Sequence, residues 1–262
     1  MAAMERSVNL EDYVPPFDLF NARADYAEVA RKMFGLLLDQ TGLQPHERVL
    51  DVGCGTGRIA VPLTAHLDER GSYEGFDNSG ERIDWCNERI APLHPNFRFQ
   101  AVDVFSSLYH KTGSIKPEEF SFPYPDDDFD VVFLFSVFTH IRGAGVERYL
   151  REIARVLRPG GRSMITWFLL NDESKRSLEQ QADTRSDPAS NAYNAAFSHD
   201  MGHYRLSSLS VPEGVVGFEE EWARGEYEAA GLEVKEPIHY GDWTRDRTDT
   251  LINQDIVIAH KR

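Results

Sequence analysis

Three aspartates recur at regular intervals in the first half of the chain. Asp51, Asp77 and Asp103 each close an apolar run, and the first leads into Gly53-Cys54-Gly55-Thr56-Gly57. Glycine carries no Cβ, so a ligand can lie against bare backbone in such a loop. A buried or half-buried carboxylate is costly unless hydrogen-bond donors meet it. Three of them at one sheet edge imply a ligand, or a loop rich in donors. Asp77 falls twenty positions after Gly57. At that distance a strand end supplies the acid that takes two hydroxyls of a ribose. Further along, His140, His199 and His203 are side chains able to move a proton near neutral pH.

These residues need a scaffold, and the glycine loop names its kind. Val49–Val52 is an apolar run bounded by glycine, which reads as a buried parallel strand. Arg58–Leu67 reads as a helix, weakened locally by Pro62. The loop thus sits at the carboxyl end of a strand, where open α/β sheets bind ligands. Its spacing is G-x-G-x-G. A dinucleotide fingerprint needs G-x-G-x-x-G, and Arg58 stands where the third glycine belongs. The Gly-Lys-Ser/Thr of a P-loop is absent. The stretch resembles motif I of the class I S-adenosylmethionine (SAM) methyltransferases, a hydrophobic run, an acid and G-x-G-x-G. Gly53, Cys54, Gly55 and Gly57, with Asp51, would then cradle the cofactor.

The resemblance continues in order. Tyr73–Asp77 reads as a second strand, and Asn78 with Glu81 gives a capping-box start for the next helix. Asp77 and Asn78 are the expected ribose edge. Phe97–Val102 is a third strand. In the family, the following acid takes the adenine amine beside a backbone amide, which here implies Asp103 and Val104. Phe129–Phe135 is a fourth, central strand. The resemblance places Phe135 and Ser136 beside the sulfonium, and His140 among acceptor-facing residues. Val146, Tyr149, Leu150, Ile153, Ala154 and Leu157 form one helical stripe, with Glu147 and Arg151 paired at i,i+4. Arg155-Val156-Leu157-Arg158-Pro159-Gly160-Gly161 resembles the family's helix–turn–strand block after motif IV, and Ser163–Leu170 reads as a fifth strand. The blocks cover Val49 to about Leu170.

The remaining segments frame this core. The first residues, to Pro16, read as an irregular arm. Tyr26 to Gly42 reads as a helix, with Phe17 and Phe20 before it as candidate covers for a ligand. Phe105–Pro125 is long enough to be a lid, with Tyr109, His110, Lys111 and Phe120 in it. Asp126-Asp127-Asp128 reads as a solvated turn, and no metal site is expected. From Asn171 to Gly217 periodicity is lost. The resemblance makes this insertion the acceptor side, and its Asn191, Tyr193, Asn194, Phe197, His199, His203 and Tyr204 suit a polar small molecule. Phe218–Ala230 reads as a helix, Leu232–His239 as a sixth strand and Gln254–His260 as a seventh. The fold expected is a Rossmann-like α/β sheet of seven strands, mostly parallel with an antiparallel last strand, helices on both faces and an insertion after strand five. Residues 1–45 form an arm and covering helix, and 46–262 the methyltransferase domain with its insertion at about 171–217.

Composition narrows the partners. The formal charge of −15 repels phosphate backbones, so nucleic acid is not expected. The longest apolar run, near Val131–Phe138, is too short to cross a bilayer. Cys54 and Cys86 make neither a disulfide framework nor a metal site. The chain opens without a basic and apolar leader, so the reading is cytoplasmic. Taken together, the residues resemble bacterial small-molecule methyltransferases of the broad type-11 group. The expected reaction is methyl transfer from SAM to a hydroxyl of a sugar or secondary metabolite. Its alternatives are N-methylation, an aminopropyltransferase, which shares the fold and a modified SAM donor, or a catalytically silent SAM-binding module. Arg58 and the three acids argue against a nicotinamide oxidoreductase.

Overall fold

The structure, a computed structural model, describes residues 8–19, 26–183 and 197–262. Phe20, Asn191, Tyr193 and Asn194, singled out above, lie outside the described residues. Helix α1 (Tyr26–Thr41) leads into β1 (Arg48–Val52), α2 (Ala60–His66), β2 (Ser72–Asp77), α3 (Gly80–Arg89) and β3 (Phe97–Ala101). After the long connection come β4 (Phe129–Leu134), α4 (Gly143–Val156) and β5 (Leu157–Trp167). Last are α6 (Glu220–Ala229), β10 (Leu232–His239) and β11 (Asp255–Lys261), beyond the insertion. The seven strands order as β10–β11–β5–β4–β1–β2–β3. Strand β11 runs antiparallel to both β10 and β5, while β5, β4, β1, β2 and β3 pair in parallel. This is the expected Rossmann-like sheet.

Alternation along the central strands assigns the two faces. Val49, Val131 and Phe133 pack with Ala30, Met33 and Leu37 of α1. Leu50, Val52, Val132 and Leu134 pack on the other face with Leu150 and Ile153 of α4. A period of two in a strand sends neighbours to opposite faces, so a sheet covered on both sides needs near-continuous apolar strands. Every residue of β4 is buried for that reason.

Strand β5 departs from the expected Ser163–Leu170. It begins at Leu157, and the Pro-Gly-Gly turn is absorbed as an irregularity. Pairing with β4 jumps from Phe129–Leu157 to Val131–Arg162, and Gly160 takes a φ of +76°. The strand also ends early, at Trp167. Leu169–Leu170 forms β6, which belongs to a second sheet. Asp255 fixes this break. Its carboxyl oxygens accept from the Leu169 amide at 2.7 Å, the Gly241 amide at 2.8 Å and the Trp243 indole at 2.9 Å.

The aperiodic insertion has more structure than its sequence indicates. It holds α5 (Asp172–Asp183), β7 (His199–Asp200), β8 (Tyr204–Leu206) and β9 (Val216–Glu219). With β6 these strands make a sheet ordered β6–β9–β8–β7. Asn171 caps α5, since its Oδ1 accepts from the Glu173 and Ser174 amides at 3.1 and 2.9 Å. Strands of two to four residues are too short to display alternation.

The connection before β4 is only partly a lid. Phe120 and Phe122 are buried and pack edge-on against Phe76. Buried Glu152 of α4 pins them, accepting from the Phe122 amide at 2.8 Å and pairing with Arg155 at 2.6 Å. Asp126, Asp127 and Asp128 pair with Arg155, Lys261 and Arg48 respectively.

Candidate functional site

The carboxyl ends of β1, β2 and β4 open into a cavity of about 470 Å³. Strand order changes direction at β1, which has β2 on one side and β4 on the other, so this is the crevice where open α/β sheets take ligands. Sites for small molecules run from about 300 to 1,000 Å³. Gly53, Cys54 and Gly55 form one wall, Asp77 and Asn78 a second, and Phe135 and Ser136 a third.

The glycine loop divides into two functions. Gly53, Gly55 and Gly57 all have positive φ, at +78°, +55° and +74°. A Cβ on Gly55 would meet nothing within 4 Å, because that side is open cavity. A Cβ on Gly53 would strike Val137 Cγ2 at 2.6 Å, and one on Gly57 would strike Ile90 Cδ1 at 2.5 Å. Gly57 does not line the cavity; it packs the loop onto α3 and the residues after it. Gly57→Ala is therefore expected to cost about 2 kcal/mol or more from strain plus overlap. Gly55→Ala should cost about 1 kcal/mol yet weaken a ligand lying on that backbone. Urea unfolding and calorimetry on the two variants check this; the reverse pattern would contradict the division.

Two buried carboxyl groups stand behind the loop. Asp77 accepts from the Gly55 amide at 2.9 Å through one oxygen and from the Ser79 amide at 2.8 Å through the other. The Asn78 amide also bears on this carboxyl group, which still leaves acceptor capacity for a ligand donor. Burial raises its pKa, opposed by these amides and by Arg82. Asp51 accepts from the Tyr73 hydroxyl at 2.7 Å. Burial pushes it up to about 7, against the Tyr73 bond, with Asp77 nearby adding to the rise. Asn78 reaches across to the Val104 carbonyl at 3.3 Å and ties the β2 edge to the β3 edge. Ser136 takes a left-handed φ of +59°. It is held there by Thr166 Oγ1, which accepts its amide at 2.8 Å, and by Gln254 Oε1, which accepts its hydroxyl at 3.0 Å. Left-handed backbone on a residue other than glycine stores about 1–3 kcal/mol and clusters at functional sites.

Residues 49–161 match the family model described as "Methyltransferase domain". Over that stretch the chain is similar to the class I SAM-dependent methyltransferases. The 27-O-demethylrifamycin SV methyltransferase of Amycolatopsis mediterranei is 28% identical over 149 residues, 56% of this chain and 48% of that one. The ubiquinone/menaquinone biosynthesis C-methyltransferase UbiE of Geotalea daltonii is 28% identical over 59% of each chain. This chain spans about half the length of the curated relatives it matches. Among solved structures, a Pyrococcus horikoshii protein superposes with a TM-score of 0.61 at 14% identity, covering 98% of this chain and all of that one. The 1,6-didemethyltoxoflavin N1-methyltransferase of Burkholderia thailandensis, solved with S-adenosylhomocysteine (SAH), superposes at 0.54 and 18% identity. That match covers 90% of this chain and 79% of the other. At such identities the likeness is one of fold. SAM is the cofactor of the family.

The residues of the crevice fit that cofactor. Among the described residues, the carboxyl groups of Asp18, Asp51, Asp77 and Glu213 and the guanidinium groups of Arg58 and Arg82 line it. Asp77 offers its remaining acceptor capacity, and the wall at Gly55 is bare.

His140 is the histidine that reaches the cavity. It sits in the single turn Phe138–His140 after β4. Its Nδ1 lies 3.0 Å from the Glu213 carbonyl. A carbonyl only accepts, so Nδ1 carries the proton and the lone pair of the neutral ring is on Nε2. Burial lowers its pKa, opposed by the carbonyls of Glu213 and Gly214. A lowered pKa keeps the ring neutral at pH 7.

Three expected residues stand elsewhere. Asp103 does not line the cavity; its half-exposed carboxyl group is taken by Ser114 and by His110 at 2.9 Å. Val104 does line it. His199 lies in β7, at the outer edge of the small sheet. His203 stacks on Trp222 at 4.4 Å, its Nε2 buried without a partner among the described residues. Neither lines the cavity, so the insertion contributes through Glu213 instead. Glu213 carries no pattern signal, being one acid in a short loop. Arg82 lies five residues beyond Asp77, one turn into α3, where its guanidinium covers the Tyr109 ring at 5.0 Å. Tyr109 meets His140 edge-on at 6.0 Å.

Proposed function

We propose that this chain transfers the methyl group of SAM to a hydroxyl of a polar small molecule. The observation that carries the hydroxyl is the His140 Nδ1 contact with the Glu213 carbonyl at 3.0 Å, which leaves Nε2 to accept a proton. When bound, SAM supplies an electrophilic methyl carbon on a positively charged sulfur. The backbone of Gly53–Gly55 and the carboxyl group of Asp77 would hold its nucleoside, with Asn78 and Val104 at the base edge. Phe135 and Ser136 would flank its far end, and Asp51 would add negative charge. Holding donor and acceptor in line is the main contribution, because orientation alone removes much of the barrier. His140 Nε2 then takes the proton that a hydroxyl must lose.

The related proteins do not agree on an acceptor. Their names include the rifamycin and quinone enzymes above and a tRNA N(3)-cytidine methyltransferase of Gallus gallus. A net charge of −15 argues against an RNA acceptor here. No helix among the described residues is long and apolar enough to cross a membrane.

The test is transfer from methyl-labelled SAM to a panel of sugars, phenols and amines. Label on oxygen is the expected result. Label on nitrogen alone would favour N-methylation, and SAH binding without transfer to any member would favour a silent module.

A further inference from the structure

Glu213 lies outside residues 49–161, the stretch matched to the methyltransferase model. It sits in the loop between β8 and β9, is 5% exposed, and borders the cavity. Its two carboxyl oxygens are used very differently. Oε2 accepts from the Ser107 amide at 2.6 Å, the Ser107 hydroxyl at 2.9 Å and the Ser106 hydroxyl at 3.3 Å. These donors more than fill its two lone pairs. Oε1 receives no hydrogen bond from the described residues, and no cation among them pairs with the group. Oε1 is not among the fully buried side-chain atoms without a partner, so it stays open to the space beside it, and Glu213 lines the cavity. The same residue's main-chain carbonyl holds His140 Nδ1 at 3.0 Å. Two acceptors, Glu213 Oε1 and His140 Nε2, thus belong to adjoining residues of one wall.

Resting on the methyltransferase reading of this cavity, we propose that Glu213 Oε1 recognises the acceptor molecule. It takes an O–H or N–H donor of that molecule close to the group that is methylated. The cavity therefore selects a neutral or cationic acceptor with a second donor and rejects an anion at that position. The serine clamp matters to this role. By saturating Oε2 it fixes the rotamer that turns Oε1 inward, so the group is set before the acceptor arrives.

Four probes of one size separate donor from charge: benzylamine, benzyl alcohol, benzyl methyl ether and benzoate. Each is titrated into the SAH-saturated protein and followed by NMR. Benzylamine and benzyl alcohol should bind about tenfold or more tighter than the ether and the acid, the ratio expected of a hydrogen bond to a charged group. In Glu213→Gln the amide oxygen can keep the serine donors, which leaves an NH2 facing the cavity. Benzylamine affinity should then fall about tenfold and benzoate affinity rise, both measured with SAH held saturating. Equal binding of the four probes, or an order unaltered by Glu213→Gln, overturns the assignment. The order in the unsubstituted protein is an independent readout if glutamine disturbs the loop. Failure of the unsubstituted protein to bind SAH would overturn the cofactor reading beneath it.

Discussion

Asp77→Ala is expected to weaken SAH binding by about a hundredfold or more. A hydrogen bond to a charged group contributes about 1.5–3 kcal/mol, and the Asp77 carboxyl group has acceptor capacity left for a ribose hydroxyl. The same carboxyl group fixes the Gly55 and Ser79 amides, so its removal also loosens the wall against which the nucleoside lies. Unfolding is a separate matter. Asp77 is buried with its pKa raised, so the folded chain bears a desolvation cost that alanine removes, partly offsetting the two lost amide bonds. Calorimetry with SAH, beside a urea curve for the variant, separates the two effects. Affinity within threefold of the parent would remove Asp77 from the cofactor site. Asp77→Asn keeps one acceptor oxygen and should fall between the two.

His140→Ala should lower turnover on a hydroxyl acceptor by about a hundredfold or more, the usual worth of a placed general base, with little change in SAH affinity. The pH dependence has a definite sign. Burial holds the folded-state pKa of His140 below 6.5. Turnover should therefore be level through neutral pH and fall only on the acid side, as Nε2 takes a proton; His140→Ala should lack that limb. Stability follows the same group. The unfolded chain protonates first as pH drops through about 6.5, so the contribution of the neutral ring is present above that value and is lost below it. A titration of the ring nitrogens by NMR gives both the tautomer and the midpoint. A protonated ring at pH 7, or a proton on Nε2 alone, would rule out the base.

The sheet was legible because buried parallel strands advertise themselves. Val49–Val52 and Phe129–Leu134 are apolar runs ended by glycine or a polar turn, and α4 shows a single stripe. The cavity wall at Gly53, Gly55 and Asp77 was legible for a related reason: glycines at alternate positions and an acid at a fixed distance are backbone requirements, and backbone requirements leave a trace in spacing. Asp103 shows the limit. Its place after β3 was correct in sequence, but Ser114 and His110 compete for its carboxyl group, and that contact depends on how the following loop folds back. The histidines of the insertion failed for the same cause. Residue type marked His199 and His203 as able to move protons, while the pairing of β7, β8 and β9 decided which side chains face inward. Those strands are too short for pattern, so Glu213 left no sign of itself.

The break between β5 and β6 separates two duties along one stretch of chain. Up to Trp167 the strand serves the sheet whose carboxyl ends open into the cavity; from Leu169 it serves the sheet whose β8–β9 loop carries Glu213. Asp255, at the start of β11 in the larger sheet, clamps the join from the neighbouring strand. The wall facing the acceptor is thus a graft on a fixed trunk. On the proposed reading, substitutions in the small sheet would change the acceptor and leave the loop at Gly53–Gly57 untouched.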